Sequence, residues 1–138
     1  WVATDGCGAP IGATSLGGLA RAFARLATAD PTSPEGRVAS AIRAHPEVIG
    51  GAQRDVTRLI NAVPGLIAKD GAEGGYVVAL DDGRAAALKI ADGAARARMP
   101  VMVAALRRLG VANRELDAIA NVPILGHGRP VGAVRAHL

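Results

Sequence analysis

Cysteine is almost missing from this chain: Cys7 is the only one in 138 residues. A single thiol excludes an internal disulfide and fits a reducing compartment, so a cytoplasmic location is expected. Aromatic residues are nearly as scarce, with Trp1, Phe23 and Tyr76 alone. Binding of nucleic acid draws on stacking platforms and a dense basic groove. The chain offers neither, because its net charge of +4 comes from scattered arginines. Arg21 and Arg25 lie one helical turn apart, and Arg107 with Arg108 end an apolar helix, so solvated helix faces account for them. Nucleic acid is therefore not an expected partner. No apolar stretch approaches the length of a membrane span, and no membrane partner is expected either. Neither S-x-x-K nor G-x-S-x-G occurs, so no local motif activates a serine. Lysine is the last scarcity: Lys69 and Lys89 stand against fourteen arginines. Arginine stays protonated in proteins, whereas a buried lysine can lose its proton and act as a base.

What is present is small and apolar. Half of the residues are hydrophobic, chiefly Ala, Val, Leu and Ile. The length suits one compact domain over residues 1–138. Small side chains bury little area each, so close backbone packing is expected, with help from a partner surface. The opening at Trp1, already apolar and loop-like, reads as a piece cut from something longer.

Residues 4–12, TDGCGAPIG, read as a glycine-rich loop around the cysteine. Thr14 or Ser15 caps a helix to about Ala29, with Leu16, Leu19, Phe23 and Leu26 as its apolar stripe. Ser33 and Pro34 start a second helix that runs to about Ala44, and Pro46 stops it. A short helix is expected from about Arg54 to Val63. Three strands follow, Leu66–Lys69, Gly75–Leu80 and Arg84–Ile90, with Asp82-Gly83 as a hairpin turn. A long helix from about Ala94 to Leu109 contains Pro100, which either kinks it or marks its true first turn. Asn113 caps a helix to about Ala120, and Val131–Val134 is an edge-strand candidate. Helices, then an antiparallel hairpin sheet, then helices predict an α+β fold.

Three sites carry chemistry in this pattern. Lys69 ends a strand and leads into Asp70, Gly71, Ala72, Glu73, Gly74 and Gly75. Glycine there lets a ligand approach the backbone, and a neighbouring lysine can orient a carboxylate or move protons for a nucleophile. Gly71 and Glu73 are the candidate substrate-binding residues beside it. Lys89 shares its strand with Leu88 and Ile90; if those point inward it points outward, as a lysine guarding a sheet edge does. Cys7, flanked by glycines, can bind a metal, although zinc needs three or four ligands and no His or Cys lies at ligand spacing. His45 is explained as a helix-end residue, and among the acids Asp5, Asp55, Glu73 and Asp92 only Glu73 and Asp92 are displayed at glycine turns.

Four segments in order, TDGCGAP, IRAHPEVIGG, AKDGAEGGY and LKIADGAARA, resemble the bacterial L-asparaginase II family of the inducible Rhizobium etli type. The resemblance runs from about Val2 to about Gly132 and corresponds to the C-terminal half of such proteins. It implies a fold similar to serine β-lactamases and bacterial glutaminases. There an S-x-x-K serine attacks, and a lysine on a later strand assists. It implies L-asparagine as substrate, hydrolysed through an acyl-enzyme whose serine lies in an N-terminal half outside this chain. Lys69 takes the place of the strand lysine. Asp70 departs from the hydroxyl residue of the wider superfamily, and a carboxylate there repels a substrate carboxylate unless it turns away or is neutralised. The resemblance also implies zinc, with Cys7 as one ligand and the others outside this chain. The partner surface expected from the small-residue core is that other half or a second copy, and a homodimer is expected. Glutaminase activity on the same scaffold is the nearest alternative. A non-catalytic binding domain that kept the lysine strand is the alternative from another class.

Overall fold

A computed structural model describes residues 1–137. The expected α+β class is borne out: helices flank small antiparallel sheets. In chain order the elements are β1 (Val2–Thr4), β2 (Pro10–Gly12), α1 (Leu16–Ala27), α2 (Pro34–Ala44), α3 (Pro46–Gly50), α4 (Asp55–Ala62), β3 (Ile67–Asp70), β4 (Gly75–Ala79), β5 (Ala85–Lys89), α5 (Arg98–Arg108), α6 (Arg114–Ala120), β6 (Val122–Gly126) and β7 (Arg129–Val134). A 3₁₀ turn, Ala95–Ala97, leads into α5.

The helix starts follow from their caps. Ser15 accepts a hydrogen bond from the Gly18 amide, and Ser33 accepts one from the Gly36 amide, with Pro34 in the first turn of α2. Asn113 accepts from the Leu116 amide at 2.8 Å and donates to the Ala62 carbonyl at 2.8 Å, so one side chain caps α6 and ties it to the end of α4. Pro46 ends α2 and also opens α3, a five-residue helix that the sequence reading had not separated. A proline in a first turn sacrifices no hydrogen bond, because that amide has no helical partner. The same argument resolves Pro100: α5 starts at Arg98, so the proline sits in the first turn and no kink is needed.

The central sheet has the order β3-β4-β5, all antiparallel. Strand alternation divides its side chains between two faces. Ala68, Tyr76, Val78 and Leu88 join the main core with Val56, Leu59, Met102, Leu106 and Leu116 from α4, α5 and α6. Ile67 and Ala79 face the other way, where Phe23, Leu26 and Ala27 of α1 and Ala39 of α2 cover them. The sheet is thus the middle layer of three. Leu59, Leu66, Leu106 and Leu116 are fully buried, and each such burial is worth about 1.5–3 kcal/mol. Arg43 clamps the layers: Nε donates to the Gly65 carbonyl at 2.9 Å and Nη2 to the Ala27 carbonyl at 2.8 Å.

Four expectations are corrected. Helix α1 stops at Ala27 instead of Ala29, where Thr28 turns its backbone amide and hydroxyl back on the Ala24 carbonyl. The glycine loop around Cys7 is the tip of a hairpin, β1 with β2. The tail forms a full hairpin, β6 with β7, turning through His127 and Gly128 at φ 49° and 77°. Both central residues at positive φ make this a hairpin turn matched to strand twist. The Asp82-Gly83 turn, expected as one in which both residues tolerate positive φ, has only Gly83 left-handed, at φ 89°.

Candidate active site

The site is built where β3 leaves the sheet. Lys69 and Asp70 are neighbours on a strand, so their side chains start on opposite faces. Asp70 faces the buried side, paired across β4 with Tyr76, and is only 8% exposed. Lys69 starts on the α1 side, with its side chain 52% exposed. It curls around the strand end, and its Nζ donates to the Asp70 carbonyl at 2.6 Å and to Asp70 Oδ1 at 2.9 Å.

Two arginines complete the grip on Asp70. Arg54, the residue just before α4, donates from Nη2 to Asp70 Oδ2 at 2.6 Å. Arg98, at the start of α5, lies 3.6 Å from the same oxygen through Nη1 and donates from Nη2 to Asp55 Oδ2 at 2.8 Å. Its guanidinium carbon also stands 5.7 Å from the centre of the Tyr76 ring. Burial alone raises the Asp70 carboxyl. The hydrogen bonds and charges of Lys69 and Arg54 outweigh it and hold the group below the usual carboxylate range. Burial pushes the Tyr76 phenol well above its ordinary value, aided by the charges of Asp55 and Asp70, so it stays neutral. Tyr76 Oη and Arg98 Nε are buried without a hydrogen-bond partner among the described residues.

The turn after Asp70 is strained and closely packed. Glu73 and Gly74 have φ of 55° and 71°, and the Gly75 amide donates to the Ala72 carbonyl at 3.3 Å. A left-handed glutamate is uncommon and stores strain. The surroundings enforce it. The Ile90 amide donates to the Gly74 carbonyl at 3.0 Å, and Lys89 Nζ donates to the Glu73 carbonyl. A Cβ on Gly74 would lie 2.8 Å from Ile90 Cβ, and one on Gly93 would lie 2.7 Å from Glu73 Oε2. Two glycine turns, one after β3 and one after β5, therefore pack against each other, with no room for a side chain at Gly74.

Between these turns and the two arginines lies a recess of about 400 Å³, lined by Arg54, Lys69, Asp70, Gly71, Ala72, Glu73, Gly74, Gly93, Ala95 and Arg98. A smaller apolar recess of about 190 Å³ adjoins it through Lys69, Asp70 and Gly71, with Leu19 and Phe23 of α1 on its wall. The strand end thus has a charged side and an oily side.

Lys69, Gly71 and Glu73, picked out from the sequence, share the charged recess. Lys89 stands on the edge strand β5 with Leu88 turned inward; its ammonium holds the Glu73 turn and lines neither of these two recesses. Cys7 is not brought to this site. It is exposed at the tip of the β1–β2 hairpin, and Sγ has one polar neighbour, Asp5 Oδ2 at 3.6 Å. No three His, Cys, Asp or Glu side chains converge as a metal site among the described residues. Cys7 and Asp5 offer two donors where zinc takes three or four, so these residues do not fit zinc by themselves. Arg54 and Arg98 were missed in the sequence because fourteen dispersed arginines give no local signal. The available hint was the pair Arg54-Asp55 opening an apolar helix.

No helix among the described residues is long and apolar enough to cross a membrane. No curated protein matches the chain. Residues 1–136 match a family model described as L-asparaginase II.

Proposed function

The chain belongs to the L-asparaginase II family, and from that premise we propose that it supplies part of the active site of an amidohydrolase that converts L-asparagine and water to L-aspartate and ammonia. The observation that carries the reading is the single recess shared by Lys69, Gly71 and Glu73. The nucleophilic serine is assigned to a segment outside this chain. Its oxygen bonds to the side-chain amide carbon, the carbon–nitrogen bond breaks, and nitrogen leaves as ammonia after taking up a proton. Water then attacks the acyl-enzyme and releases aspartate.

Within that scheme Lys69 relays protons and positions anionic groups. To do so it must let go of Asp70. The geometry supports this, because Arg54 and Arg98 remain beside Asp70 Oδ2 when Lys69 swings away. The buried carboxylate is never left bare, which would be costly. Asp70 lines the recess, but Arg54 and Arg98 beside its Oδ2 offset its charge, so the repulsion expected of a carboxylate next to the strand lysine is reduced. Gly71 lets substrate approach the backbone, and Glu73 is displayed by its left-handed turn. Cys7 and Asp5 supply too few ligands for zinc by themselves.

Ammonia release from L-asparagine by the full-length protein tests the reading, with L-glutamine measured beside it. The pocket contacts are expected to separate the two amides by about 1–3 kcal/mol in kcat/KM, the value of one methylene. Faster turnover of glutamine turns the assignment to a glutaminase. Ammonia from neither amide removes the enzyme reading and leaves a binding domain.

A further inference from the structure

We propose that the recess recognises a free α-amino acid through two separate charged poles: Arg54 anchors the α-carboxylate and Glu73 accepts the α-ammonium. The proposal rests on the recess being the amide-hydrolysis site and names what that site demands of the rest of the substrate.

Most of the charges on the recess wall are already paired. Three cations line it, Arg54, Lys69 and Arg98, and two acids, Asp70 and Glu73. Asp70 is consumed: Lys69 and Arg54 donate to it and Arg98 stands beside it. Arg98 is consumed as well, since its side chain is nine-tenths buried and its terminal nitrogens face Asp55 and Asp70. Lys69 gives two hydrogen bonds to Asp70 at rest, and once it releases them it serves the reacting amide and not the end groups. What remains are Arg54 and Glu73. Arg54 is 53% exposed and spends one of its nitrogens on Asp70, which leaves most of a five-donor guanidinium free. Such a planar fork matches a carboxylate in bidentate fashion. Glu73 is exposed and has no ion-pair or hydrogen-bond partner for its carboxylate among the described residues.

Glu73 is also held where it stands. Its φ of 55° is imposed by a turn packed against Gly93, whose missing Cβ makes room for Oε2. Strain of this kind persists only where the surroundings over-determine it. An unpaired acid on a fixed turn and a half-free arginine on one wall are complementary to a zwitterion. An asparagine inside a peptide presents neither end group in that form, and an N-acylated asparagine keeps only the carboxylate, so both poles are filled by the free amino acid alone.

The test uses the full-length protein with Arg54→Gln, Arg54→Lys and Glu73→Gln. Substrates are L-asparagine, its α-carboxamide and N-acetyl-L-asparagine, and binding of L-aspartate is followed by calorimetry. Loss of one charge-assisted contact is expected to raise KM for L-asparagine about tenfold or more, with a smaller change in kcat. Arg54→Gln should no longer distinguish L-asparagine from its α-carboxamide, and Glu73→Gln should no longer distinguish it from the N-acetyl compound. Arg54→Lys should recover part of the loss. Should Arg54→Gln fail to fold, Glu73→Gln carries the test, because its side chain supports no other group. Ammonia release with unchanged KM and unchanged discrimination in Glu73→Gln overturns the two-pole proposal and leaves the reaction standing. No ammonia release, but aspartate binding that weakens in Arg54→Gln and Glu73→Gln, overturns the reaction and leaves the two poles standing.

Discussion

The turn after β3 and the tip of the β1–β2 hairpin are written in similar letters, AKDGAEGGY and TDGCGAP, yet they end in different places. The first hangs on a sheet covered on both faces, with Ile67 and Val78 fully buried. The second stands on a ribbon whose residues are all exposed, with Val2 at 68%. Glycine next to a polar side chain only permits an unusual backbone. Packing decides whether that backbone is held. Around Lys69 the turn is wedged between Ile90 and Gly93, and three cations converge on one buried acid. Around Cys7 nothing is wedged, and the thiol meets a single carboxylate.

The largest expected effect falls on the buried charges. Arg98→Gln leaves Asp55 and Asp70 short of their shared cation and should cost about 3–5 kcal/mol in chemical denaturation. A loss below about 1 kcal/mol would mean that the cluster is solvated and the contrast with the hairpin overstated. Next come apolar truncations. Leu59→Ala in the core should cost about 2–5 kcal/mol, whereas Val131→Ala on the exposed β6–β7 hairpin should change stability by no more than about 0.5 kcal/mol.

Glycine substitutions sharpen the comparison further. Gly93→Ala combines φ 73° with a Cβ placed 2.7 Å from Glu73 Oε2, whereas Gly8→Ala combines φ 83° with open space. The left-handed penalty, roughly 1–2 kcal/mol, is common to both. Gly93→Ala should add little to it, because the exposed Glu73 carboxylate can swing aside, but it should weaken binding in the recess by displacing that carboxylate.

Acid distinguishes the regions in a fourth way. The Asp70 carboxyl is held below its unfolded value of about 3.9. Between the two values the unfolded chain binds more protons, so stability rises with pH there. This contribution is fully present above the unfolded value and is lost as pH falls through the folded one. Asp70→Asn should flatten that acid limb in stability measured against pH. The smallest effect belongs to Cys7→Ser, within about 0.5 kcal/mol, while the native thiol should react with a thiol reagent as fast as in denaturant.

Much of this was legible in the sequence, for identifiable reasons. Ser15, Ser33 and Asn113 announce their helices because capping is local chemistry. The three central strands were placed to within a residue or so because glycine and proline bound them. Lys69, Gly71 and Glu73 were found together since they lie within five residues. The arginines were not found, because Arg54 and Arg98 reach Asp70 across 16 and 28 positions of chain. Nothing local marks a partner that only the tertiary fold supplies. The tail hairpin was half seen, because Pro123 and Pro130 argue against strands unless both lie on exposed edges, as they do here.

The two lysines give the most direct test. Lys69 and Lys89 occupy the same face of one sheet, on strands β3 and β5, and only Lys69 lines the recess. Ammonia release from L-asparagine should be measured for the full-length protein beside Lys69→Arg and Lys89→Arg, each of which keeps the charge but cannot move a proton. Lys69→Arg should lower kcat by about a hundredfold or more, and Lys89→Arg by far less. Equal losses in the two variants, or an undiminished rate in Lys69→Arg, would contradict the placement of the active site at the end of β3.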